Sequence, residues 1–209
     1  MHLPDPRLLV ISDRGQARRP LLELAGAAFA GGCRWFSLRE KDLPASERCA
    51  LLAALVELGH RFGATVTAHE DIDAVVAVGA DGVHLPGKSD PIAARARLPE
   101  ALIGSSAHSA ADAAAQLRAG ADYVTISPVF LTASKPGYGP ALGLDGLAAV
   151  AAAAPGPVLA LGGITAGNVG LCRAAGAAGV AVMGEVMRAD DPQATVADLI
   201  RAFSTRTAG

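Results

Sequence analysis

Eight short apolar runs, separated by longer alanine-rich stretches with helical spacing, leave this chain few folds to choose from. The runs are Leu8 to Ser12, Trp35 to Arg39, Thr65 to Glu70, Gly82 to Leu85, Leu102 to Ser106, Tyr123 to Val129, Val158 to Gly162 and Val180 to Met183. Each is mostly apolar rather than alternating, as strands are when both faces of a parallel sheet are covered by helices. Between them lie helical stripes: Leu21, Leu24, Ala25 and Ala28 in the first stretch, Leu51, Leu52, Leu55 and Leu58 in the second. Gly31 and Gly63 stand where these helices should end. The segments GADG before the fourth run and GADY before the sixth mark helix-to-strand turns, and a last helix spans about Gln193 to Phe203. Eight βα units in succession predict an α/β protein, a (β/α)8 TIM barrel forming a single domain over residues 1–209; a doubly wound open sheet is the alternative.

Composition narrows the partners. A formal net charge of -2 gives no basic footprint for nucleic acid and no polybasic patch for a membrane, so small molecules are the expected ligands. Cys33, Cys49 and Cys172 are too widely spaced for a metal or redox motif, and are expected as buried free thiols in a reducing cytoplasm. The segment MHLPDPRLLV lacks the charged-then-apolar order of a leader, and the apolar stretch Leu147 to Leu161 is broken by Pro155, Gly156 and Pro157. Neither export nor membrane spanning is therefore expected, and a homo-oligomer is left open.

The two ends of the runs differ in chemistry. The carboxyl ends carry Ser12-Asp13, Arg39-Glu40-Lys41, His69-Glu70, Ser105-Ser106 with His108, Ser127, Gly162-Gly163 and Gly184-Glu185, so polar groups converge on the mouth where barrel enzymes work. On the second run, period-two alternation puts Ser37, Arg39 and Lys41 on one side and Glu40 on the other; the bland alternative pairs the cations with Glu40 or Asp42. From Ser127 to Gly143 prolines and glycines predict a long loop carrying Thr132, Ser134 and Lys135, two hydroxyls and an ammonium that suit a phosphate. With Lys135 approaching Arg39 and Lys41, three cations suit a group as charged as pyrophosphate. Gly163, followed by Ile164-Thr165 where a helix is expected to start, and the Met183-Gly184 backbone suit a second anion. His84, inside a strand, is expected to be a buried structural residue.

The segments SLREKD (Ser37 to Asp42), VGADGVHL (Val78 to Leu85), IGSSAHS (Ile103 to Ser109), GADYVTISPVFLTASK (Gly120 to Lys135), LALGGIT (Leu159 to Thr165) and GVAVMGEV (Gly179 to Val186) together resemble the thiamine-phosphate synthase and TenI family of (β/α)8 barrels over nearly the whole chain. The resemblance implies a transferase of thiamine biosynthesis that joins hydroxymethylpyrimidine diphosphate to a thiazole phosphate and releases pyrophosphate. It makes Arg39, Lys41 and Lys135 pyrophosphate ligands, places Thr132 and Ser134 against the substrates with Ser106 among the binding residues, and gives the thiazole phosphate to Gly163, Met183 and Gly184. It also implies Mg2+, with Glu70 as a ligand and Asp71 or Asp90 contributing after a one-residue shift. The chain departs from the synthase pattern in three places. Ser37 stands for a glutamine, His69-Glu70 for an Asn-Asp pair, and Ser89 for the second magnesium aspartate.

HLPGKSDP and the AHS around His108 are closer to the TenI branch, in which some members are thiazole tautomerases using a histidine at this position as acid and base. That gives a second reading, a tautomerase acting on a carboxythiazole phosphate through His108. A third is a non-catalytic regulator that binds thiamine precursors.

Overall fold

The computed structural model describes residues 2–131 and 141–205. Thr132, Ser134 and Lys135 lie outside the described residues. Strands β1 (Leu8–Ile11), β2 (Trp35–Leu38), β3 (Thr65–His69), β4 (Gly82–Leu85), β5 (Leu102–Ala107), β6 (Tyr123–Ile126), β7 (Val158–Leu161) and β8 (Gly179–Val182) follow one another around a closed barrel. Neighbouring strands are parallel throughout, and β8 returns to β1 in the register Leu8↔Val180, Leu9↔Ala181, Val10↔Val182. The open-sheet alternative is thereby removed. Helices α1 (Leu21–Ala30), α2 (Ala45–Arg61), α3 (Ile72–Val78), α4 (Pro91–Arg97), α5 (Ala110–Arg118), α6 (Gly143–Ala153), α7 (Val169–Ala174), α8 (Gly184–Met187) and α9 (Pro192–Ser204) alternate with them.

Most of the apolar runs outlast their ladders by one to three residues. Ser12, Arg39, Glu70, Val129, Gly162 and Met183 were expected at strand ends and instead begin the loops that build the mouth. Gly31 ends α1 as expected, with a φ of -73°, and the positive φ falls on Gly32 after it. Gly31 serves close approach: a Cβ there would lie 2.4 Å from the carbonyl oxygen of Gln193 on α9. The aspartates of the two GAD joints have a bonding role, since Asp81 accepts from the amide of Val66 and Asp122 from that of Ile103, each tying a loop to the neighbouring strand. Cys33 and Cys172 are buried free thiols as expected, whereas Cys49 is only half-buried. No helix among the described residues is long and apolar enough to cross a membrane.

Apolar side chains pack in two places, between sheet and helices and inside the barrel. The inner cluster is Leu3, Leu9, Ile11, Trp35, Leu102, Tyr123, Leu159 and Ala181. Trp35 and Tyr123 meet edge-to-face with ring centroids 4.6 Å apart, an arrangement worth about 0.5–1.5 kcal/mol beyond the area it buries. Above this plug the inward positions turn polar: Ser37, Thr67, His84 and Thr125 are all buried. The barrel is therefore a filled core with a hydrogen-bonding floor below its mouth.

The Tyr123 ring reaches that floor across β5 only because residue 104 has no side chain; a Cβ there would sit 2.0 Å from Tyr123 Cζ. Gly104→Ala is expected to destabilise the protein by about 1–3 kcal/mol through overpacking, read as a lower urea midpoint. An unchanged midpoint would mean that the ring has room to swing aside.

Candidate active site

The floor of the mouth is a chain of polar groups. Ser37 Oγ lies 3.2 Å from His69 Nδ1, and the His69 and His84 rings face each other at 4.6 Å because β3 and β4 pair at these two residues. His84 Nδ1 bonds Tyr123 Oη at 3.0 Å, and its Nε2 bonds Ser106 Oγ at 3.0 Å with Thr125 Oγ1 at 3.4 Å. Burial, with the nearby Arg39 charge in support, pushes the His84 imidazole down to about 3. It is neutral at every physiological pH, so one ring nitrogen donates and the other accepts. His84 is the buried structural residue expected, and it orients Ser106, which faces the cavity.

Above the floor lies a cavity of about 550 Å3 whose walls include Arg39, Lys41, Glu70, Lys88, Ser106, His108, Gly163, Met183, Gly184 and Arg188. The alternation expected on β2 is present. Ser37 and Arg39 face inward, and Glu40 turns away and is 2% exposed. Both Glu40 oxygens accept from the Arg14 amide at 3.1 Å, while the Arg14 guanidinium pairs with Glu40 and Asp42. Burial raises the Glu40 carboxyl, and bonds from Ser12 and the Arg14 amide oppose that rise. Arg14 therefore takes the carboxylates that would have quenched the β2 cations. Among the described residues Arg39 forms no ion pair, and its amide is anchored at 2.8 Å to Ser12 Oγ.

The next two loops hold a feature that the sequence concealed. Glu70 after β3 and Lys88 after β4 have φ of 63° and 69°, left-handed conformations that side chains other than glycine and asparagine seldom adopt. Glu70 is fixed by its amide bond to the carbonyl of His84 at 3.0 Å, and Ser89 closes a turn onto the carbonyl of Pro86 at 3.3 Å. Strain of this kind collects at binding sites, and here it turns one anion and one cation into the mouth. Glu70 Oε1 and Lys41 Nζ form an ion pair. Lys88 has no ion-pair partner among the described residues.

The carboxylates do not assemble a metal cage. Asp71 caps α3 through Ala74 N at 2.9 Å and pairs with Arg48; burial pushes its carboxyl up, but the Ala74 amide and Arg48 together hold it below its ordinary value. Asp90 caps α4 through Ile92 N at 2.9 Å. Neither is shifted into the mouth, Ser89 carries no charge, and Glu70 is engaged by Lys41. Among the described residues no three His, Cys, Asp or Glu side chains come together. The donor set does not fit a resident Mg2+, which draws on oxygen ligands held around it.

At the far wall His108 Nδ1 lies 3.0 Å from the carbonyl oxygen of Ser127. A carbonyl can only accept, so Nδ1 carries the proton and Nε2 is the basic atom of the neutral ring. Gly162 and Gly163 have φ of 100° and 64°. The helix expected at Thr165 begins at Val169 instead, because Asn168 accepts from Thr165 N and donates to the carbonyl of Gly163, both at 2.8 Å, locking a tight turn. Gly163, Met183 and Gly184 thus line one side of the cavity, opposite the β2–β4 cations.

A thiamine monophosphate synthase model matches residues 8–186. The chain belongs to that family. It is 40% identical over 195 residues to a thiamine-phosphate synthase of Methanoculleus marisnigri, with 92% of each chain covered, and 39% identical over 204 residues to one from Moorella thermoacetica, with 96% of each covered. The solved thiamine phosphate pyrophosphorylase from Pyrococcus furiosus superposes with a TM-score of 0.85 at 31% identity, covering 94% of this chain and 95% of its own. Within this family frame, the predicted residues Arg39, Lys41, Glu70, Ser106, His108, Gly163, Met183 and Gly184 share one cavity. Lys88 and Arg188 share it too, though neither was singled out from the sequence; the only signal for Lys88 was a lysine between Gly87 and Ser89 at the carboxyl side of β4.

His84 stays neutral in the folded chain down to about pH 3, while in the unfolded chain it takes a proton near its ordinary value of 6.5. Between those values the unfolded state binds the extra proton. Stability is therefore full above about pH 6.5 and falls as the pH drops, by up to about 1.4 kcal/mol per unit. Denaturant unfolding at pH 7 and pH 5 is expected to show a smaller loss for His84→Gln than for the parent. Equal losses would mean that His84 titrates normally in the fold.

Proposed function

We propose that this chain is a thiamine-phosphate synthase: a single barrel unit over residues 1–209 that couples hydroxymethylpyrimidine diphosphate to a thiazole phosphate. The bond between the pyrimidine methylene carbon and the diphosphate oxygen breaks, and its electron pair leaves on pyrophosphate. The thiazole ring nitrogen then donates its lone pair to the carbocation. No proton moves at the reacting carbon, so the protein has to stabilise charge and align two substrates.

The observation that carries this reading is the set of cations Arg39 and Lys41 on the loop after β2 and Lys88 on the loop after β4, lining one cavity of a chain in this family. They would meet the departing pyrophosphate together with Lys135, with Thr132 and Ser134 contacting the substrates beside it. Ser106, oriented by His84, faces the bound rings, and Gly163, Met183 and Gly184 receive the thiazole phosphate. The partners are small phosphorylated molecules. Mg2+ belongs with the diphosphate oxygens rather than with a cage of side chains, with Glu70 as a carboxylate on the same side of the cavity as Lys41.

A second reading, thiazole isomerisation, is favoured by one observation: His108 lines the cavity, and the Ser127 carbonyl fixes Nδ1 as its donor nitrogen. Both reactions can be followed on the same variants, with thiamine phosphate measured by chromatography and thiazole isomerisation by NMR. Lys41→Ala and Lys135→Ala are each expected to slow thiamine-phosphate formation at least about tenfold, because a charge-assisted contact is worth roughly 1.5–3 kcal/mol. His108→Gln should reduce it only modestly. If His108→Gln abolishes it while both lysine variants retain it, the mouth is built around proton transfer. Mg2+ titrated into the protein alone is expected to bind on the order of millimolar or weaker. Calorimetry showing micromolar binding without diphosphate would reveal a metal site that the donor set does not suggest.

A further inference from the structure

On the β8 side of the cavity a guanidinium lies against a glycine. A Cβ at residue 184 would sit 2.2 Å from Arg188 Nη1 and 2.6 Å from its Cζ, so Arg188 folds back over the start of α8 only because that position is bare. Its Nη1 donates to Gln16 Oε1, on the loop after β1. The Gln16 amide nitrogen donates to Asp13 Oδ2 and lies 3.7 Å from Met183 Sδ, which turns the carboxamide oxygen towards the guanidinium. Gln16 is neutral, so its bond orients the guanidinium through a dipole rather than a counter-charge. Arg188 and Gly163 both line the cavity, on the side away from the β2–β4 cations.

We infer that Arg188 is a ligand of the phosphate monoester on the acceptor substrate, and that Asp13 and Gln16 are positioning residues that hold its fork. A guanidinium presents paired N–H donors that match two phosphate oxygens and brings a full positive charge, which backbone N–H groups do not. Selection for a phosphorylated over an unphosphorylated thiazole then rests on this side chain. The inference builds on the synthase reading in placing the acceptor beside Gly163 and Gly184.

Parent, Arg188→Ala, Arg188→Lys and Gln16→Ala proteins can be compared in two measurements: binding of inorganic phosphate by calorimetry, and kcat/KM for the thiazole phosphate against the corresponding thiazole alcohol. Arg188→Ala is expected to weaken phosphate binding about tenfold or more and to lower the preference for the phosphorylated acceptor by a similar factor, through KM rather than kcat. Arg188→Lys should recover part of both, and Gln16→Ala should lose less than Arg188→Ala in the same direction. Equal phosphate affinity and equal preference in parent and Arg188→Ala would overturn the inference, as would a parent that binds no phosphate. If Arg188→Ala fails to fold, Arg188→Lys and Gln16→Ala decide the matter, and parent-like values in both overturn it. A parent that makes no thiamine phosphate refutes the synthase reading instead; phosphate binding then decides on Arg188 alone.

Discussion

Hydrogen bonds between β1 and β8 close the ring of strands, and because every pair in that ring is parallel, every carboxyl end opens on the same side. Residues far apart in sequence become neighbours for that reason alone. Asp13 and Gln16 after β1 come within reach of Met183 and Arg188 after β8, although more than 160 positions separate them. The same closure leaves no unpaired strand edge and an interior wide enough for side chains and nothing else below the mouth.

What fills that interior determines how the mouth can work. Trp35, Leu102, Tyr123 and Leu159 seal the lower barrel, and the polar groups above them are satisfied mostly by one another. A charged imidazole at His84 would be stranded there, so burial keeps it neutral, and a neutral ring can bridge Tyr123 to Ser106 without drawing a counterion inward. The cations Arg39, Lys41 and Lys88 stand above this floor, lining the cavity.

The barrel was legible because its signal repeats: eight apolar runs with helical stripes between them admit few arrangements, and each run was found within a few residues of its strand. Arg39, Lys41 and Glu40 were legible through the period of two on β2. Less visible were the features made by backbone geometry. Nothing in the letters of Glu70 or Lys88 announces a positive φ, and the turn that delays α7 to Val169 depends on Asn168 bonding back to Gly163 and Thr165. Likewise the fates of Asp71 and Asp90, one shared between a cap and Arg48 and the other a cap, follow from where α3 and α4 begin. The contact of Arg188 with Gly184 and Gln16 needed three dimensions to be seen.

The ion pair of Lys41 with Glu70 has a kinetic side. Both side chains are partly in water, at 52% and 39% exposure, so their attraction is worth at most about 1 kcal/mol. Such a pair is too weak to bar a multiply charged visitor, yet strong enough to keep the ammonium extended over the cavity instead of wandering into solvent. In the reading proposed above, Glu70 is a stand-in that a diphosphate would displace on arrival and that would reclaim the lysine when pyrophosphate departs, so the vacated mouth would not hold its product by the full attraction of a bare cation.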